Sequence, residues 1–145
     1  MRKKPGFTLV EIIIVIVIIG IISAVSWSVL GGAKKSAAVN DACNQTAAMI
    51  NKTRNYALSG KDGASGSIPD SFRIKTGGPI VIYSVVSNTE TQMESFSLAG
   101  GVSCNDKKLT YKVPDGSGGS NQSIVCSVGG SSRTVSVTPY TAICQ

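Results

Sequence analysis

Glu11 stands three residues after Thr8, at the threshold of an 11-residue stretch, Ile12 to Ile22, made only of Ile, Val and one Gly. A carboxylate there can do two kinds of chemistry. It can complete a capping box, in which the Thr8 hydroxyl accepts from the Glu11 amide and the Glu11 side chain returns to the Thr8 amide. It can also serve as a buried countercharge. An ionisable group at the centre of a membrane helix costs about 2.5–3.5 kcal/mol, less near an end, and persists where it meets an opposite charge. Three basic residues, Arg2, Lys3 and Lys4, stand upstream of Gly6-Phe7. The other reactive residue types are four cysteines, at positions 43, 104, 126 and 144. There is no histidine, which removes the commonest general base and metal ligand and any Ser/His/Asp set. Asp62, Asp70, Glu90, Glu94, Asp106 and Asp115 are scattered and read as solvated surface. Neither an enzymatic activity nor a cofactor or metal is expected.

The element that positions Glu11 is the apolar run itself. From Ile12 to Leu30 there are 19 residues without a formal charge. A helix of that length spans roughly 28 Å, against a bilayer core of about 30 Å. Its β-branched residues do not prevent helix formation, because in lipid the backbone has no other hydrogen-bond partner. The basic leader places the N-terminus in the cytoplasm by the positive-inside rule. Trp27 suits the opposite interface, or ordinary packing. Two plainer readings are a cleaved secretory signal, with small residues at Ala24-Val25-Ser26, and a simple one-span anchor. Neither uses Glu11.

Gly6-Phe7-Thr8-Leu9-Val10-Glu11, with its basic leader and apolar run, resembles the processing site of type IV prepilins and the related pseudopilins of secretion systems. The close match covers roughly residues 1–30; beyond it only architecture agrees. The resemblance implies that a prepilin peptidase cuts between Gly6 and Phe7 and N-methylates Phe7. Glu11 is then retained for assembly, where it neutralises the N-terminal ammonium of a neighbouring subunit. The implied partners are identical or related pilin subunits, the peptidase, a membrane assembly platform and, before assembly, the lipid bilayer. The implied locations are the inner (cytoplasmic) membrane, as a single-pass precursor with a cytoplasmic N-terminus, and then an extracellular pilus or periplasmic pseudopilus. The chain departs from the family at Ser28, where many members carry Pro; the Gly31-Gly32 pair is expected to loosen the helix instead.

The division expected is a leader at 1–6, a transmembrane and polymerisation half at 7–30, and an exported head at 31–145. Removing the leader takes three of the 14 basic residues, leaving 11 against eight acidic ones, a net of +3. The four cysteines lie beyond the apolar run at separations of 61, 22 and 18 residues, with no C-x-x-C and no zinc spacing. In an exported domain an even count reads as two disulfides with three connectivities, or as buried free thiols. The family resemblance implies Cys126–Cys144, since many pilins close a C-terminal loop that way, and with it Cys43–Cys104.

The fold class expected is α+β: a long spine helix, half membrane and half amphipathic, packed on a C-terminal antiparallel sheet. Val39, Ala42/Cys43, Thr46, Met49/Ile50, Thr53 and Tyr56/Ala57 recur at helical spacing. Asn40, Asp41, Asn44, Gln45, Asn51, Lys52 and Asn55 populate the other side. Gly60 is the expected stop. If continuous, Phe7 to Ser59 is about 80 Å of helix. A polar loop follows at Lys61–Ser67. Ile80–Val86, Thr91–Leu98, alternating Leu109/Tyr111/Val113, Ile124/Cys126/Val128 and Val135/Val137 are expected strands, and Ser71–Lys75 a short edge strand, all in one meander. Pro114–Asn121 lacks the Lys-Ser/Thr ending of a phosphate-binding loop. Asn-x-Ser/Thr at Asn44, Asn51 and Asn121 is attributable to composition.

The function expected is a structural subunit of a type IV pilus-like filament. The alternatives are a type II secretion pseudopilin or a minor pilin, and more remotely an anchored or secreted binding domain. Lys61, Arg73, Lys75, Lys107, Lys108, Lys112 and Arg133 are candidates for a DNA-binding patch, as some minor pilins of transformation systems bind DNA. Aromatics are sparse beside them, so no stacking platform for DNA is expected.

Overall fold

The computed structural model describes the backbone of residues 7–145, and the side chains of all of these except residues 25–30. The expected leader, residues 1–6 with Gly6, lies outside the described residues, as do the side chains of Trp27 and Ser28. One helix, α1 (Leu9–Ser59), is followed by eight strands: β1 (Ser71–Lys75), β2 (Ile80–Val86), β3 (Thr89–Phe96), β4 (Ser103–Cys104), β5 (Lys108–Lys112), β6 (Gln122–Val128), β7 (Ser131–Val137) and β8 (Ala142–Cys144). The class is α+β. Two compact units divide the chain, Met1–Lys34 and Lys35–Gln145.

In the second unit α1 turns one stripe inward. Val39, Ala42, Cys43, Thr46, Ala47, Ile50, Thr53 and Ala57 are each under 8% exposed, while Asn40, Asp41, Asn44 and Asn55 face out. The buried threonines are satisfied along the helix: Thr46 Oγ1 donates to the Ala42 carbonyl at 2.7 Å and Thr53 Oγ1 to that of Met49 at 2.8 Å. Gly60 ends α1 with φ of 59°. Its N–H reaches the Ala57 carbonyl and the Lys61 N–H that of Tyr56, the two bonds of a Schellman cap.

The strands form two antiparallel four-stranded sheets rather than one meander, in the orders β3-β2-β1-β5 and β4-β6-β7-β8. The chain crosses from the second sheet to the first after β4 and returns after β5. Thr76 secures the crossover: its hydroxyl donates to the Asn105 carbonyl at 2.7 Å and accepts from the Lys107 amide at 3.1 Å. Ser71–Lys75 is not an edge strand. It is internal, with β2 on one side and β5 on the other. Phe72 faces Tyr111 and Ile74 faces Leu109, all buried, so the alternation in β5 and that in β1 build one inner face.

The helix meets both sheets in succession. Around residue 46 it lies on the second sheet, with Thr46 Oγ1 3.7 Å and 3.8 Å from the sulfurs of Cys104 and Cys126. Asn51, expected on the solvent side, instead acts as a surrogate strand. Its amide donates to the Ala142 carbonyl and accepts from the Ala142 N–H, both at 2.9 Å. At its far end α1 reaches the first sheet, where Tyr56 packs on Phe72 with ring centroids 5.8 Å apart.

The disulfides are Cys43–Cys144 and Cys104–Cys126, not Cys126–Cys144 and Cys43–Cys104. The register explains this. Cys104 on β4 lies directly opposite Cys126 on β6, with Cα atoms 4.0 Å apart. β6 and β8 lie on opposite sides of β7, so two strand spacings, roughly 9–10 Å, separate Cys126 from Cys144. A disulfide spans at most about 7 Å between Cα atoms.

Glu94 on β3 fastens the end of α1. It accepts from Lys52 Nζ at 2.6 Å and Tyr56 Oη at 2.5 Å. The Lys52 bond, then the Tyr56 bond, lowers the Glu94 pKa, and the Glu94 bond raises that of Lys52. A lowered carboxylate pKa stabilises the fold above the unfolded value of about 4.3, and that contribution is lost as pH falls through the folded value below it. The raised Lys52 pKa acts oppositely, its contribution being lost only at strongly alkaline pH. Glu94→Gln is therefore expected to lower stability at pH 7 by about 1 kcal/mol or less, since the pair is partly solvated. In thermal unfolding of the detergent-solubilised protein, the gap to wild type should close on acidification below pH 4.

Candidate functional site

The start of α1 is built by its own sequence. Thr8 is the N-cap: its carbonyl accepts from the amides of Glu11 at 3.1 Å and Ile12 at 3.3 Å, and its hydroxyl accepts from the Glu11 amide at 3.3 Å. The second half of the capping box is not made. Among the described residues the Glu11 carboxylate has no hydrogen-bond or ion-pair partner. It lies in the first turn, where the helix dipole favours an anion, and it is exposed. The cap thus uses the Glu11 amide and leaves its carboxylate free for another charge. Phe7, one residue before the cap, is 81% exposed.

From Ile12 to Ile22 the helix has no polar side. Every Ile and Val from residue 12 to 19 is between 48% and 64% exposed, and Ile21 is 62% exposed. In water, full burial of one such side chain is worth about 1.5–3 kcal/mol. Among the described residues no helix is long and apolar enough to cross a membrane. The uncharged run of 12–30 continues into residues 25–30, whose side chains are outside that set.

One family model matches the segment that holds this cap and the apolar run. Residues 1–27 match the prokaryotic N-terminal methylation motif. This is the prepilin-like cleavage and methylation motif. It covers 27 of the 145 residues. No curated protein and no solved structure matches the chain. The motif supports a type IV pilin-like or pseudopilin precursor and points to a structural subunit. It fits a membrane-anchored precursor destined for an extracellular or periplasmic filament, and implies processing by prepilin peptidase.

The remaining sequence candidates do not converge on a second site. Arg73 and Lys75 on β1 and Lys108 and Lys112 on β5 alternate with buried residues and share the outer face of the first sheet. Arg73 is paired with Glu90, and Lys75 lies 3.8 Å from Asp106. Lys61 is elsewhere, with its ammonium 3.7 Å from the Tyr56 ring centroid, and Arg133 is on the other sheet. The Gly-rich loop after β5 spends its amides on its own chain: Gly116 N–H reaches the Lys112 carbonyl and Gly119 N–H the Thr110 carbonyl. There it covers Tyr111, whose burial raises the phenol pKa. Gly118 has φ of 134°, and a Cβ there would stand 1.9 Å from the Thr110 carbonyl oxygen, so the close approach requires glycine. Of the three Asn-x-Ser/Thr sites, Asn51 is already engaged by Ala142. Among the described residues no group of three His, Cys, Asp or Glu is placed to hold a metal.

Thr8→Ala removes the hydroxyl cap but leaves the Glu11 carboxylate. Helix-start stability should fall by about 1 kcal/mol, read as roughly fivefold faster hydrogen exchange of the Glu11 amide.

Proposed function

We propose that the chain is the structural subunit of a type IV pilus-like filament, anchored in the inner membrane by residues 7–30 until assembly. The observation that carries this reading is the pairing of an all-round apolar helix with a carboxylate that its own cap leaves unpartnered. Lipid can cover the apolar surface of one copy. A bundle of like helices can cover it equally well, so leaving lipid need not be costly. Glu11 distinguishes the two environments. In a helix bundle, the ammonium exposed at Phe7 by cleavage after Gly6 is a countercharge of the right sign on each neighbouring copy. A buried pair persists, and removal of one partner strands the other. The reading assigns this chain no share in powering assembly.

The positions separate processing from assembly. Gly6→Ala should abolish cleavage. Glu11→Ala should leave cleavage largely intact and reduce filament yield at least about tenfold, a loss of only about 1.4 kcal/mol in association. Cleavage is read from the gel mobility of precursor and mature chain. Filaments are read by electron microscopy with a tag in the exposed 61–67 loop. Normal filaments from Glu11→Ala would overturn the charge-pairing role, and unchanged cleavage of Gly6→Ala would overturn the peptidase assignment.

A further inference from the structure

The two disulfides are nested, Cys104–Cys126 inside Cys43–Cys144, and they differ in access. Cys43, Cys104 and Cys126 are 0%, 6% and 0% exposed, whereas Cys144 is only partly buried. Cys144 lies on a three-residue strand at the edge of its sheet. The outer disulfide therefore includes one partly exposed residue, whereas the inner one joins two buried residues.

Chain order adds a second asymmetry. Synthesis delivers Cys43 first, then Cys104, Cys126 and Cys144. Pairing in order of appearance would join Cys43 to Cys104 and Cys126 to Cys144, neither of which is present. Thr46 touches both sulfurs of the inner bridge, and Cys43 lies one turn before it on the same helix face. The helix face that carries Cys43 thus packs on the inner bridge. The native set requires Cys43 either to wait for Cys144 or to exchange an earlier partner.

We propose that Cys43–Cys144 is a thiol-exchange site, the last disulfide to close and the first to open, with Cys144 as the sulfur at which an external dithiol acts. In opening, a thiolate of the dithiol attacks Cys144 Sγ, a mixed disulfide forms, and Cys43 leaves as a thiolate and takes up a proton. The second thiol then attacks its own neighbour in the mixed disulfide, releasing Cys144 and carrying away the oxidised dithiol. The inner bridge and the first sheet are unaffected. What loosens is β8, left to its ladder with β7 and to the Asn51–Ala142 pair.

The test uses the native wild-type chain in detergent, treated with increasing dithiothreitol, alkylated and mapped by mass spectrometry. Cys43 and Cys144 should become labelled at about tenfold lower dithiol exposure than Cys104 and Cys126. Hydrogen exchange in that half-reduced state should rise in β8 and its β7 partners while the β1–β2 ladder stays protected. Oxidative refolding, quenched by alkylation, should show Cys104–Cys126 before Cys43–Cys144. Simultaneous reduction of the two bridges, earlier reduction of Cys104–Cys126, or exchange rising across both sheets together would overturn the proposal.

Discussion

One helix must satisfy two different surroundings, and the rest of the molecule follows from that constraint. Through its opening turns α1 is apolar on every side, and its side chains there are exposed. From residue 35 onward the same helix is apolar on one stripe only, and that stripe is covered by sheets from the same chain. The change from an all-round to a one-sided pattern marks where covering by the chain's own sheets begins. Glu11 sits at the outer limit of the first regime. Its amide is spent on the Thr8 cap and its carboxylate is not, so a local structural role and a reserved charge coexist in one residue.

The second unit shows how a modest domain holds such a helix. Its contacts come in succession along α1: the disulfide at Cys43, Thr46 against the inner bridge, Asn51 on the backbone of Ala142, then Lys52 and Tyr56 on Glu94. The first three fasten the second sheet and the last two the first sheet. Because β4 and β5 belong to different sheets, neither sheet is complete until the crossover at residues 105–107 has formed. The helix and the crossover together make one core of the two sheets.

Periodicity made much of this legible in advance. The stripe Val39–Cys43–Thr46–Ile50–Thr53–Ala57, the stop at Gly60, the run Ile80–Val86 and the alternation at Leu109/Tyr111 were all readable, because each reflects burial on one face of one element. What was not readable depends on which elements become neighbours. Ser71–Lys75 looks like an edge strand by itself and is internal because β5, more than thirty residues later, adds beside it. Cys104 and Cys144 lie on strands of two and three residues, too short to carry a pattern, so their strands and partners were hidden together. Asn51 is polar, which by itself predicts the solvent face; its amide instead mimics backbone, which composition does not reveal. At the N-terminus Thr8-x-x-Glu11 showed that a capping box was available, and only the geometry separates the half that forms from the half that does not.

The central claim is that Gly6-Phe7 is read by a processing enzyme before α1 is buried among like helices. Intact-mass and peptide mass spectrometry of the mature chain's N-terminus tests it most directly. The account predicts a chain beginning at Phe7 with its α-amino group methylated. A chain that keeps its leader, or one that begins within or after the apolar run near Trp27, would contradict it.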